Sequence, residues 1–199
     1  MLTRTSTQPA LRRVVEVSLL ACLTACMLVI GAWSTPAPLG DGGASPSATS
    51  VKAAFVYRFL AFVEWPEQAF ASADAPMVIG VLGADALAHE LEEVVANRRI
   101  DERAIEVRRV DVAHALDGVN VLYVGEQASS ALTGLAARAA RASVLVVSDF
   151  ADALDEGSVI NLLVVDNRVR FEVSLEAATR SALRLSSRLL GVAYRVRAP

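Results

Sequence analysis

The chain has 199 residues, with 19 basic and 22 acidic side chains and a formal net charge of −3. This length suffices for one domain with a sizeable core. The net charge offers no basic surface for nucleic acid, so a nucleic-acid-binding function is not expected. Both cysteines, Cys22 and Cys26, precede residue 51. The remainder of the chain therefore contains neither an internal disulfide nor a thiolate metal site.

The first 33 residues have the layout of a secretory signal or an amino-terminal membrane anchor. A basic stretch without acids (1–13) precedes an apolar run (19–33) that is shorter than the ~20 residues of a spanning helix. Three interpretations stay open: a signal cleaved within 32–37, an uncleaved anchor, or a lipoprotein whose lipobox is Leu23-Thr24-Ala25-Cys26. Each exports the rest of the chain, and only a retained or lipidated leader would contact the membrane.

A linker follows the leader. Residues 34–50 are rich in Pro, Gly and Ser, a composition that buries no core and is typical of a flexible tether. We therefore place the domain boundary near residue 50 and expect one folded domain over 51–199.

The domain should begin with a buried helix over residues 51–64. Phe55, Phe59 and Phe62 recur at helical spacing and fall on one face. Pro66 ends the helix, because a residue that precedes proline is disfavoured in the helical region.

The middle of the domain alternates strands with helices. The hydrophobic pattern predicts strands over 77–82, 105–110, 119–124 and 143–147, with helices over 86–96, 114–116 and about 130–142. Asp85 is expected to cap the first of these helices, and Ser129 or Ser130 the last. This alternation indicates an α/β fold with a mostly parallel sheet and flanking helices, a Rossmann-like three-layer arrangement.

The pattern changes towards the carboxyl terminus. A strand over 159–165, the turn pair Asp166-Asn167 and an alternating strand over 168–174 predict an antiparallel hairpin. In the second strand Val169, Phe171 and Val173 should face the core, and Arg168, Arg170 and Glu172 should face outwards. Apolar residues at helical spacing then predict one long carboxyl-terminal helix over about 175–192.

Sequence signatures of catalysis are absent. Gly80-Val81-Leu82-Gly83 lacks the spacing of a dinucleotide-binding loop, and there is no phosphate-binding loop or GxSxG motif. The two histidines, His89 and His114, lack the spacing of a zinc site. We expect a non-enzymatic protein without metal or cofactor. The loop 148–157 holds four acids; a solvated surface is its default interpretation.

Several segments, in their order and spacing, resemble the YfiR family of exported bacterial regulatory proteins. They are Ala54-Phe55 through Phe59, Phe62-Val63-Glu64-Trp65-Pro66, the strand Val78 to Gly83, Gly157-Ser158-Val159-Ile160-Asn161, Val169 to Val173, and Leu183 to Leu190. The resemblance covers about residues 51–197. It departs from the family pattern at Gly157-Ser158, where the family usually has two glycines. The domain also lacks the cysteines that some members use for redox control.

The resemblance implies a periplasmic domain, often dimeric, that binds and restrains the periplasmic sensor domain of an inner-membrane diguanylate cyclase. Such a protein would control cyclic di-GMP and biofilm growth. Exposed aromatic and Arg groups are frequent at binding hot spots. The candidate contact residues are Trp65, Arg168, Arg170, Arg184 and Arg188.

A periplasmic small-ligand binding domain is the alternative function. Ligands of open α/β sheets bind at the carboxyl ends of the strands. The residues expected to line that edge are Gly83, Asp85, Gly125 and Asp149.

Overall fold

The computed structural model describes residues 46–198. The predicted leader, the lipobox at Cys26 and nearly all of the linker lie outside the described residues, so the domain boundary near residue 50 stays a prediction. None of the helices in residues 46–198 is both long enough and apolar enough to span a membrane.

The described residues form five α-helices and ten strands. The helices are α1 Ala48–Phe59, α2 Asp85–Val95, α3 Leu132–Arg141, α4 Leu175–Arg180 and α5 Ser187–Val192. The strands are β1 Val63–Glu64, β2 Met77–Leu82, β3 Arg99–Ile100, β4 Arg103–Arg109, β5 Val121–Val124, β6 Leu145–Ser148, β7 Ile160–Val165, β8 Arg168–Ser174, β9 Arg184–Leu185 and β10 Arg195–Arg197. Short 3₁₀ segments cover Glu67–Ala69 and Glu126–Ala131.

Eight of these strands form one sheet in the order β10-β8-β7-β6-β5-β2-β4-β3. The pairs β10–β8, β7–β6, β6–β5, β5–β2 and β2–β4 are parallel, and the pairs β7–β8 and β3–β4 are antiparallel. β1 and β9 form a separate antiparallel ribbon. The predicted mostly parallel sheet with flanking helices is therefore confirmed.

The two faces of the sheet pack against different helices, as the alternation of side chains along a strand requires. On one face Ile79, Val121 and Tyr123 belong to a core that includes α1 and α2. On the other face Leu122 and Val146 pack with the apolar side of α3. Phe59 meets Phe171 edge to face at 5.2 Å between ring centroids, which fixes α1 on β8.

Several local predictions were wrong. Asp85 lies in the first turn of α2 rather than at its cap, which is Ala84 and forms no side-chain cap bond. Ser129 and Ser130 lie within a 3₁₀ segment, and α3 begins without a side-chain cap. Residues 114–116 form turns and no helix.

The predicted long carboxyl-terminal helix is also wrong. The chain leaves the helical conformation after Arg180, because Ala182 has a left-handed φ of 53°. The next residues extend to pair β9 with β1, and the Oγ of Ser186 then accepts a bond from the Leu189 N–H to start α5. Apolar residues recur at the same helical spacing through α4 and α5, so the sequence pattern did not reveal this break. The β7–β8 hairpin is present, with Val165 opposite Arg168 across the turn.

Candidate functional site

A cleft lies at the carboxyl ends of β2 and β5, two neighbouring strands whose connections run to opposite sides of the sheet. β2 leads through α2 to β4 on one side, whereas β5 leads through α3 to β6 on the other side. The chain therefore continues to opposite sides of the sheet after β2 and after β5. Such a point is the usual ligand position in open α/β sheets. The cleft has a volume of about 240 Å³, and its polar lining comes from Thr49, Lys52, Asp85, Tyr123, Gln127 and Asp149.

Two glycines allow the loops to approach each other beneath the cleft. Gly83 has a left-handed φ of 66°. A Cβ atom on Gly125 would lie 2.4 Å from the backbone oxygen of Gly83. Both positions therefore require glycine for a backbone reason, and neither supplies a functional group beyond its peptide unit.

An ion pair joins α1 to the carboxyl edge of the sheet. The Nζ of Lys52 lies 2.7 Å from the Oδ2 of Asp149, and the two side chains are only 18% and 17% exposed. Lys52 was not among the predicted site residues. The signal that could have found it is that it is the single lysine of a chain with 19 basic residues.

Tyr123 lies beside this pair. Its side chain is fully buried, and burial, with the Asp149 carboxylate nearby, raises the pKa of its phenol. Among the described residues neither the phenol oxygen nor the Oδ1 of Asp149 has a hydrogen-bond partner of normal geometry. The cleft thus combines an ammonium group, a carboxylate and a phenol of raised pKa in a poorly solvated position.

The predicted ligand-edge residues all lie in the loops around this cleft, but they differ in burial and in the chemical group that they offer. Asp149 contributes a largely buried carboxylate. The side chain of Asp85 is 91% exposed and lies 3.8 Å from the Nε of Arg109, so it adds charge only at the rim. That these residues hold a ligand stays a prediction.

The predicted partner-binding residues divide between two edges of the sheet. Trp65 and Arg184 lie at the β1–β9 ribbon, where the amino ends of the parallel strands are found; the Trp65 Nε1 donates to the Asn120 carbonyl at 3.3 Å. Arg188 follows in α5. Arg168 and Arg170 lie on β8 beside the hairpin turn, at the carboxyl edge.

Their exposure differs as well. Trp65 is half-buried and lines a surface depression with Phe70 and Arg103, whereas all four arginines are exposed. The Nε of Arg184 lies 3.5 Å from the Glu64 carboxylate. The five residues therefore do not form one continuous surface.

The sequence model of a known family matches most of this chain. Residues 49–194 match the family described as DUF4154, YfiR/HmsC-like. The chain belongs to the YfiR/HmsC-like family. Its members are periplasmic regulators of diguanylate cyclases rather than enzymes. The matched range begins in α1 and ends just before β10, so the motif-based resemblance is confirmed from α1 through α5.

A solved structure has a similar fold. A crystal structure of a "conserved domain protein" from Vibrio cholerae O1 biovar El Tor is 13% identical and superposes with a TM-score of 0.53. The likeness covers 76% of this chain and 60% of the solved chain, so this chain spans less than two thirds of that protein. No curated protein matches the sequence.

This YfiR/HmsC-like chain carries a buried polar network that sequence analysis missed. The Ser148 Oγ lies 2.8 Å from the Ser158 Oγ and 3.1 Å from the Asn161 Oδ1. The Asn161 Nδ2 donates to the Phe150 carbonyl at 3.0 Å and to the Glu172 carboxylate at 3.3 Å. Ser158 supplies a buried hydroxyl to this network. Glu172, predicted to face solvent, is buried.

The network orders the acidic loop without forming a metal site. It fixes the loop that follows β6, and the Arg195 Nη1 lies 3.7 Å from the Glu172 carboxylate at its outer end. In residues 46–198 no group of three His, Cys, Asp or Glu side chains is arranged to hold a metal ion.

Proposed function

We propose that this chain is an exported, non-enzymatic regulator that binds the periplasmic sensor domain of an inner-membrane diguanylate cyclase and restrains the cyclase. The observation that carries the proposal is the family match over residues 49–194. It spans both faces of the sheet and both edges at which exposed arginines lie. Cyclic di-GMP and biofilm formation would then rise when the regulator is released.

Two surfaces are available for this contact. One contains Arg168 and Arg170 beside the hairpin turn; the other contains Trp65, Arg184 and Arg188 at the opposite edge. Since they lie at opposite edges of the sheet, a partner of ordinary size would use one of them, and the second would be free for a homodimer contact. Charge reversal at one surface at a time tests which of them binds the cyclase.

Direct binding to cyclases of the same organism tests the proposal. The exported protein would be titrated with the purified periplasmic domain of each membrane-bound diguanylate cyclase. Deleting the regulator's gene should raise intracellular cyclic di-GMP, and deleting the bound cyclase as well should abolish the rise. Absence of binding to every cyclase domain, together with unchanged cyclic di-GMP, would refute the proposal. Fractionation of periplasm and membranes would test the expected export.

A small-ligand binding function is the second candidate, and the cleft beside Lys52 and Asp149 favours it. A thermal-shift screen of small polar metabolites would test this candidate. A ligand for the cleft should stabilise the wild type and have no effect on an Asp149→Asn variant. Equal stabilisation of both proteins would place the ligand elsewhere.

A further inference from the structure

Among residues 46–198, half of β8 has no neighbouring strand on one side. β10 pairs with β8 only through Arg195 opposite Glu172, Val196 opposite Val173 and Arg197 opposite Ser174. The other half of β8, Arg168 to Arg170, pairs with β7 alone among the described residues. The described part of the chain therefore leaves one strand position of the sheet vacant, in line with β10 and towards the hairpin turn.

The register shows which backbone groups face this position. Val165 and Arg168 flank a two-residue turn in which Asp166 and Asn167 both have positive φ, so they form a hydrogen-bonded pair. Bonded and non-bonded pairs alternate along an antiparallel ladder. The N–H and C=O of Val169 therefore point away from β7.

A bond further along the same edge agrees with this register. The carbonyl of Phe171, two residues after Val169, accepts a bond from the Tyr194 N–H at 2.8 Å on the β10 side. No described residue makes the corresponding bond to Val169. One donor and one acceptor thus have no partner in the described ranges, at an edge that already receives a strand two residues away.

The side chains around this vacant position are basic and apolar. Arg168 and Arg170 flank Val169, are exposed, and form no ion pair within residues 46–198. Val164, opposite Val169, is 54% exposed, and Tyr194, which precedes β10, is 51% exposed. An extended segment that pairs with Val169 would meet two guanidinium groups and two apolar side chains.

A second copy of this chain is a poor occupant. Antiparallel self-pairing centred on Val169 would set Arg168 of one copy opposite Arg170 of the other, and like charges directly opposite each other are destabilising. Arginines at a sheet edge oppose self-association in this way. The same charges attract an acidic strand. The edge therefore disfavours pairing with a second copy of this chain and favours a partner of opposite charge.

We infer that the β8 edge at Val169 is a docking site for an extended acidic segment of a partner protein, which adds to the sheet as a strand. Backbone bonds to Val169 would supply affinity, and carboxylates at alternate positions would pair with Arg168 and Arg170. The inference rests on the proposed function only for the partner's identity, a cyclase sensor domain.

A synthetic strand tests the chemistry without a cyclase. The probe is a seven-residue blocked peptide of alternating Glu and Thr, and its control has Lys in place of Glu. In amide NMR spectra of the exported protein, the Glu peptide should shift the Val169 signal and those of its neighbours on β8, and the Lys peptide should not. No shift on β8, or equal shifts with both peptides, would overturn the inference.

Two variants separate the backbone contribution from the charges. Val169→Pro removes the outward N–H but no bond to β7, since Val169 forms a non-hydrogen-bonded pair. Arg168→Glu with Arg170→Glu reverses the charges and keeps the backbone. Each should weaken binding of the Glu peptide about tenfold or more. Arg138→Glu with Arg141→Glu is the matched control, because both of these arginines are exposed on α3.

Cyclase binding then distinguishes this inference from the proposed function. If a cyclase domain binds the wild type and both β8 variants equally, the docking site is wrong and the regulator function stands. If the Glu peptide binds at Val169 but no cyclase domain binds, the docking chemistry stands and the cyclase assignment fails. Unchanged peptide binding in the Arg168→Glu, Arg170→Glu variant, with a wild-type melting temperature, would exclude the charge-selective edge.

Discussion

The ammonium of Lys52 and the carboxylate of Asp149 lie 2.7 Å apart, in an ion pair that joins the first helix to the carboxyl edge of the sheet. Both side chains are more than four-fifths buried, so removing one partner leaves a poorly solvated charge. Lys52→Met should therefore lower the free energy of unfolding by about 1–3 kcal/mol, less than at a fully buried pair. Chemical denaturation measures this loss.

A double-mutant cycle checks that the loss comes from the pair. Asp149→Asn should cost less in the Lys52→Met background than in the wild type. The matched control is the exposed pair of Arg180 and Glu176 on α4. There, Arg180→Met should cost about 0.5 kcal/mol or less. Equal costs at the two sites would mean that burial adds nothing to the Lys52 pair.

Tyr123 should remain protonated for as long as the domain stays folded. Burial, together with the Asp149 carboxylate, raises the pKa of its phenol above the ordinary value. In alkaline absorbance titrations, Tyr123→Phe should therefore leave the phenolate signal of the folded protein unchanged. The signal should decrease by one tyrosine only after unfolding.

The same shift makes stability depend on alkaline pH. Because the folded pKa of Tyr123 is raised, its contribution is complete below the unfolded pKa of about 10 and is lost as pH rises above that value. Above pH 10 the wild type should lose stability more steeply than Tyr123→Phe, by up to about 1.4 kcal/mol per pH unit. Parallel slopes for the two proteins would show that Tyr123 ionises normally in the fold.

Sequence reasoning succeeded where local chemistry and tertiary packing agree. β2 spans Met77–Leu82 as predicted, because a short apolar run lies between Pro76 and the turn residue Gly83. The β7–β8 turn forms at Asp166-Asn167, since both residues tolerate positive φ. The alternation of strands and helices then indicated the correct class of fold.

The site was harder to predict because it depends on contacts between distant segments. The carboxyl-edge rule located Asp149, yet no periodicity could show that Lys52 on α1 reaches it. Conversely, strand alternation placed Glu172 in solvent, whereas the Asn161 amide and Arg195 hold it in a buried network. Expected exposure alone also assigned Trp65 and Arg168 to one set of contact residues, although they lie at opposite edges of the sheet.

Gly125 should tolerate no side chain. Gly125→Ala would bring a Cβ atom to 2.4 Å from the Gly83 backbone oxygen, so the two cleft loops would have to separate. We expect a loss of about 2–4 kcal/mol in the free energy of unfolding. The control is Gly134→Ala on α3, where a Cβ atom would meet nothing within 4 Å. That change should stabilise the domain by about 0.5–1 kcal/mol.

Ala182 gives a test in which the sign of the effect reports the backbone conformation. Its φ of 53° lies in the left-handed region, which glycine adopts without steric cost. Ala182→Gly should therefore leave the domain as stable as the wild type or more stable, by up to about 1 kcal/mol. In one continuous helix from Leu175 onwards, the same change would instead destabilise it by about 1 kcal/mol. Ala140→Gly, within α3, is the helical reference and should show that loss. Denaturation of both variants beside the wild type distinguishes the interrupted segment from the long helix that the apolar pattern predicts.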